Sequence, residues 1–215
     1  MSDGPVSPPP GGMPGAPASL VDRVKNILIS PSTEWSRIDA ESATVASLFT
    51  GYAMILAAIG PVASLIGLSL IGFPIGYAIA NAVVSYVVAL AVVFVVSLII
   101  DALAPSFGGT KNQVQATKIA VYSATPVWLV GVLAVIPQLF LLMGLLALVA
   151  LAYGVYLMFL GLPRLMRVAA DKAVVYVVVV VVAWIVVYWI FMMVLMGIII
   201  SSLGFGLMGA GALRY

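Results

Sequence analysis

Side chains able to carry chemistry are few in this chain, and the missing ones narrow the field first. Among 215 residues there is no Cys and no His. That removes disulfides, thiolate chemistry, the usual zinc ligands and the commonest general base. The polar residues that remain within or beside long apolar stretches include Asn81, Asp101, Tyr122, Tyr153 and Tyr156. An intramembrane aspartyl protease needs two facing aspartates and a rhomboid-like protease needs a serine–histidine pair; the chain carries neither. It also has no P-loop, no GxGxxG after a strand and no HExxH. Asp101 is placed to pair with Lys111, Lys118 or Arg164 at a membrane interface, a structural role. Asn81 and the tyrosines, together with the helix-breaking Pro61 and Pro126, could outline a path between helices. Packing of helices through small and polar residues accounts for the same positions. The residues therefore point to binding, with no catalytic residue, metal or cofactor expected.

The elements that position these residues are membrane spans. The chain is 64% hydrophobic and only 7% charged, with a mean hydropathy of +1.26. A soluble domain carries roughly 25% charged residues, so this one cannot cover its surface in water. Crossing a bilayer core of about 30 Å takes roughly 20 apolar residues. The uncharged block 45–100 therefore holds two spans, about 45–71 and 77–100, turned at Gly72, Pro74 and Gly76. The uncharged block 119–162 holds two more, 119–136 and 138–162, split at Pro137 and Gln138. A fifth runs over 173–201. Its valine run, Val177 to Val182, would suggest a strand in water, but an unpaired strand in lipid leaves every backbone group unsatisfied. The expected fold is all-α: a polytopic bundle of five transmembrane helices preceded by short N-terminal interfacial helices.

Outside the spans, residues 1–18 are rich in proline and glycine and read as a disordered tail. Residues 19–44 read as two short helices. Ser19 can cap the first, and Leu20, Val24, Ile27 and Leu28 recur at helical spacing. The second starts at Ser32 or Thr33 and carries Trp35, a ring suited to the headgroup level. Such helices either lie in the interface plane or pack beneath the bundle. Residues 202–215 form a glycine-rich C-terminal tail. Small-xxx-small patterns at Gly60/Ser64, Ala63/Gly67 and Gly72/Gly76 suit close helix approach.

Charge sets orientation. Arg23, Lys25, Arg37, Lys111, Lys118, Arg164, Arg167 and Lys172 fall in alternate gaps, leaving only Arg214 of the nine basic residues for the other side. The positive-inside rule puts the N-terminus in the cytoplasm and the C-terminus on the outer side of the membrane. The net charge of +2, without a basic run, argues against nucleic acid as a partner. Membrane lipids and a protein partner or a second copy are the expected partners, with Arg23, Lys25, Trp35 and Arg37 as contacts.

Several segments together resemble the Yip1 domain family in its bacterial branch. They are Arg23-Val24-Lys25-Asn26-Ile27-Leu28 with Pro31 and Glu34-Trp35, then Gly108-Gly109-Thr110-Lys111-Asn112 and Tyr122-Ser123-Ala124-Thr125-Pro126. Tyr153-Gly154-Val155-Tyr156-Leu157, Gly161-Leu162-Pro163 and Asp171-Lys172-Ala173 complete the set. The resemblance implies five membrane helices and a cytoplasmic N-terminus, here in a bacterial cytoplasmic membrane with the C-terminus on the periplasmic side; the family's eukaryotic members resemble adaptors, and a scaffold or adaptor is the role expected here. The acidic motif that precedes the first span in eukaryotic members is absent, so the resemblance does not extend to their small-GTPase contacts.

Overall fold

The computed structural model describes residues 19–212, with side chains described to residue 194. The expected tail over 1–18 and the last three residues lie outside them. All regular structure among the described residues is helical. Two short helices, α1 (Leu20–Ile29) and α2 (Pro31–Ala40), precede five long apolar ones. These are α3 (Val45–Leu70), α4 (Ile75–Phe107), α5 (Gln113–Val135), α6 (Pro137–Leu165) and α7, which runs from Ala170 to Ala212. The chain is a multi-pass membrane protein of all-α fold. The last helix continues past Ser201, so the backbone to Ala212 stays helical through the glycine-rich segment.

Local chemistry explains the boundaries. Ser19 caps α1, its hydroxyl accepting from the Asp22 amide at 3.2 Å. α2 starts at Pro31, one residue earlier than Ser32, because proline's fixed φ and missing N–H suit the first helical position. Thr44 and Ser47 form a reciprocal capping box at the head of α3. A π-turn over Phe49–Ala53 follows, and the helix breaks at Ala58, three residues before Pro61. Pro126 has the same effect in α5, which breaks at Ala124 and ends in a 3₁₀ turn.

Two glycines are required by their backbone. Gly72 (φ +87°) ends α3 in the left-handed region, with the Phe73 amide reaching back to the Leu68 carbonyl at 3.0 Å. Gly108 (φ +74°) does the same after α4, with Gly109 donating to Ala104 at 2.9 Å. Thr110 then donates to the Met166 carbonyl at 2.9 Å. A Cβ on Gly109 would lie 2.6 Å from that same carbonyl.

Helices α4, α5, α6 and α7 form a ring in which each touches the next, and α3 packs outside it against α4 and α5. One end of the ring is plugged by Ser97, Ile100, Thr117, Leu162, Tyr176 and Val180, all buried. Phe107 stacks on Tyr176 at 4.5 Å there. The α1–α2 hairpin seats on this plugged end, and the charged residues of the ring helices gather around it.

Candidate functional site

The most densely bonded region joins α1 and α2 to the bundle. Arg23 on α1 is 3% exposed, and its guanidinium donates to Glu34 on α2 and to both carboxylate oxygens of Glu41 just beyond. Its face also lies 5.5 Å from the Tyr122 ring centre on α5, within cation–π range. Burial alone would lower the guanidinium's proton affinity. The Glu41 hydrogen bond and the surrounding carboxylates outweigh it, so Arg23 is held above its ordinary value.

Lys118, from the first turns of α5, is buried and reaches the hairpin's backbone. Its ammonium donates to the Ile38 carbonyl at 2.7 Å and to the Glu41 carbonyl at 2.6 Å. These are two carbonyls at the C-terminal end of α2, where a cation is favoured. Each such charge-assisted bond contributes about 1.5–3 kcal/mol.

α6 supplies the rest of the seat. Tyr153 donates to the Leu28 carbonyl at 2.7 Å, and Arg164 donates to the Ser32 carbonyl and the Ser36 hydroxyl, each at 2.6 Å. Arg167, held at φ +57°, pairs with Asp39 at 3.0 Å. Trp35 fills the space above Gly161, where an added Cβ would come within 2.9 Å of the indole. It meets Tyr122 edge-on at 6.2 Å, and Tyr122 meets Tyr52 in turn at 4.8 Å. Tyr52 and Thr125 share a hydrogen bond of 2.9 Å.

These contacts revise several expectations. Trp35 is 0% exposed, so it sits inside the protein rather than at the headgroup level; the bare Gly161 face is what admits it. Arg23 is likewise turned inward, because two carboxylates of its own hairpin hold it. Lys25 and Arg37 remain exposed. They share the outer surface with Val21 and Ile29, 71% and 69% exposed. Asp101 pairs with none of Lys111, Lys118 or Arg164, since Lys118 and Arg164 are committed to the hairpin. Its Oδ1 is buried without a partner. Tyr122 and Tyr153 belong to the seat, whereas Tyr156 is 45% exposed beside Tyr153. Pro61 and Pro126 are breaks in α3 and α5, and Asn81 donates to Ser64 at 3.3 Å across the α3–α4 contact.

Glu41 completes the seat without having been singled out in the sequence, while Glu34 entered only through the resemblance and Arg164 only as a candidate partner of Asp101. Two acids on and just past a short helix were a signal, but not one that named α5 and α6 as the seat.

Residues 25–192 match the family model of the Yip1 domain. The chain belongs to the Yip1 domain family. The match takes in α1 from Lys25 onward, the whole of α2 to α6 and α7 as far as Met192. Comparison with curated proteins returned no match, and neither did comparison with solved structures. Segments that carried the resemblance prove to be seat residues of this Yip1 domain: Glu34-Trp35, Tyr122 to Pro126, Tyr153 and Gly161. Gly108-Gly109-Thr110 is the turn that binds the α6 end beside them.

Proposed function

We propose that this Yip1-domain protein is a non-catalytic membrane scaffold that recruits a partner through the outer face of its α1–α2 hairpin. The observation that carries the reading is the division of the hairpin. Its inner face is locked onto α5 and α6 by Arg23, Trp35 and Lys118, while Val21, Lys25, Ile29 and Arg37 stay exposed. Val21, Lys25 and Ile29 recur every four residues, so they form one stripe on α1. A rigid platform with a mixed apolar and basic stripe suits a protein partner or a second copy lying at the membrane surface.

The orientation that goes with this reading places the hairpin in the cytoplasm of a bacterium and the C-terminus on the periplasmic side. Eight basic residues at or beside the hairpin end support it.

The test is a charge reversal on the exposed stripe, Val21→Glu with Lys25→Glu and Ile29→Glu, in the full chain. Cross-linked complexes purified from native membranes should lose a partner while the thermal midpoint stays put. Retention of every cross-linked species would overturn the proposal. A transporter or lipid-translocating protein is the competing reading, favoured by the cavity within the ring. The plugged end and the lack of acidic or basic side chains along that cavity weigh against it. Flux of lipid probes or small solutes through reconstituted vesicles, above that of protein-free ones, would reverse the preference.

A further inference from the structure

The ring of α4, α5, α6 and α7 encloses a cavity of about 540 Å³, which lies in the size range of pockets that hold small ligands, about 300–1,000 Å³. Its walls are apolar: Val88, Val92, Val93, Val96, Met158 and Val181 are representative. The two ends differ. Toward the hairpin the lining residues Val93, Val96, Ala120 and Met158 are buried, and the packed plug of Ser97, Ile100 and Tyr176 lies beneath them. Away from the hairpin the lining residues Val84, Tyr188 and Met192 are exposed. The cavity is thus a blind slot whose mouth opens in the half of the membrane opposite the hairpin.

Water is a poor occupant. A buried water needs two to four polar partners, and the floor offers one polar side-chain atom, the unpartnered Ser123 Oγ. An empty slot of this size would forfeit the dispersion contacts of its whole lining. Hydrocarbon is the one substance abundant at this depth. From Asn81 to Val96 the lining follows sixteen residues of α4, about 22 Å of helix. The hydrocarbon of one leaflet is about 15 Å deep, half of the ~30 Å core, so the slot takes a full acyl chain end to end. At the mouth Asn81, Ser85 and Tyr188 supply polar atoms near the level where such a chain meets its ester.

We propose that this slot is a lipid site holding one acyl chain of a membrane phospholipid, inserted from the leaflet opposite the hairpin. The site is independent of the scaffold reading: it stands whether or not the hairpin recruits a partner.

The test uses the full chain in vesicles doped with a phosphatidylcholine that carries a photoactivatable diazirine at the end of one acyl chain. After illumination, mass spectrometry should find label on floor residues such as Val93 and Met158, as well as on the outward face of α6 around Leu141 and Leu145. Filling the slot by Ala89→Phe, or independently by Ala124→Phe, should cut floor labelling about fivefold, since a close-packed interior has no room to spare. Labelling of Leu141 and Leu145 should not change, which reports that each variant is still folded and inserted. Absence of label from the floor in the unaltered protein would overturn the proposal. So would floor labelling that persists in both filled variants.

Discussion

Arg23 shows how one residue couples two helices and the bundle. A buried cation with one carboxylate removed, or a buried carboxylate with its cation removed, destabilises by about 3–5 kcal/mol. Arg23→Met should therefore lower the thermal midpoint of the detergent-solubilised protein by about 10 °C, taking roughly 2–4 °C per kcal/mol for a chain of this size. Adding Glu34→Leu should recover part of the loss, because the stranded acid is gone, and additive losses in the pair would contradict a direct interaction. Arg23→Lys should not rescue, since one ammonium nitrogen cannot replace the two guanidinium nitrogens that reach Glu34 and Glu41 separately. The pH dependence has a definite sign. A group whose folded value lies above its unfolded one contributes fully below the unfolded value and loses the contribution only as pH rises through the folded one. For Arg23 that window lies in strong alkali. Raising the pH from neutral to mildly alkaline should leave the difference between wild type and Arg23→Met unchanged.

At the scale of elements, the crossing of α3 over α5 depends on how close two backbones come. A Cβ on Gly67 would lie 2.2 Å from the Ala134 carbonyl oxygen, and one on Gly131 would lie 2.9 Å from Gly60 Cα. The reverse substitution at Gly60 meets its nearest atom at 3.6 Å, and Gly144 on α6 meets none. Alanine scanning by thermal melting should rank the losses Gly67 > Gly131 > Gly60, with about 1–3 kcal/mol at the tightest site. Gly144→Ala should stabilise by roughly 0.5–1 kcal/mol, as for any helix-interior glycine in open space. A loss at Gly144, or none at Gly67, would contradict the crossing. The span count and the positions of the breaks were legible from charge and proline spacing, because a bilayer leaves few alternatives. Which small residue does the packing was not. Ala63-x-x-x-Gly67 and Gly72-x-x-x-Gly76 look alike as patterns, yet Gly67 is clamped against α5 while Gly72 in the turn and Gly76 at the start of α4 have open space around them. Trp35 is the same lesson in reverse: an amphipathic ring beside a membrane domain reads as interfacial until Gly161, over a hundred residues away, is seen to receive it.

For the whole molecule, the proposed orientation is directly measurable because the chain has no native cysteine. Gln138→Cys sits exposed in the first turn of α6, and Lys25→Cys on the outer face of α1. A membrane-impermeant maleimide applied from the periplasmic side should modify the first in intact cells and the second only after the membrane is opened. The opposite pattern would invert the topology and move the recruiting surface to the other compartment. The seat of the hairpin also has a consequence in time. Its partners run from Gln115 on α5 to Arg167 just past α6, so α1 and α2 leave the ribosome well before the place they occupy exists. Roughly 120 residues separate the hairpin from Arg164, on the order of ten seconds of synthesis at 5–20 residues per second. During that interval Arg23, Glu34 and Glu41 can pair only with one another, and the hairpin stands free beside the nascent spans. The hairpin helices therefore wait for the fourth span, and their docking marks the moment at which it is in place.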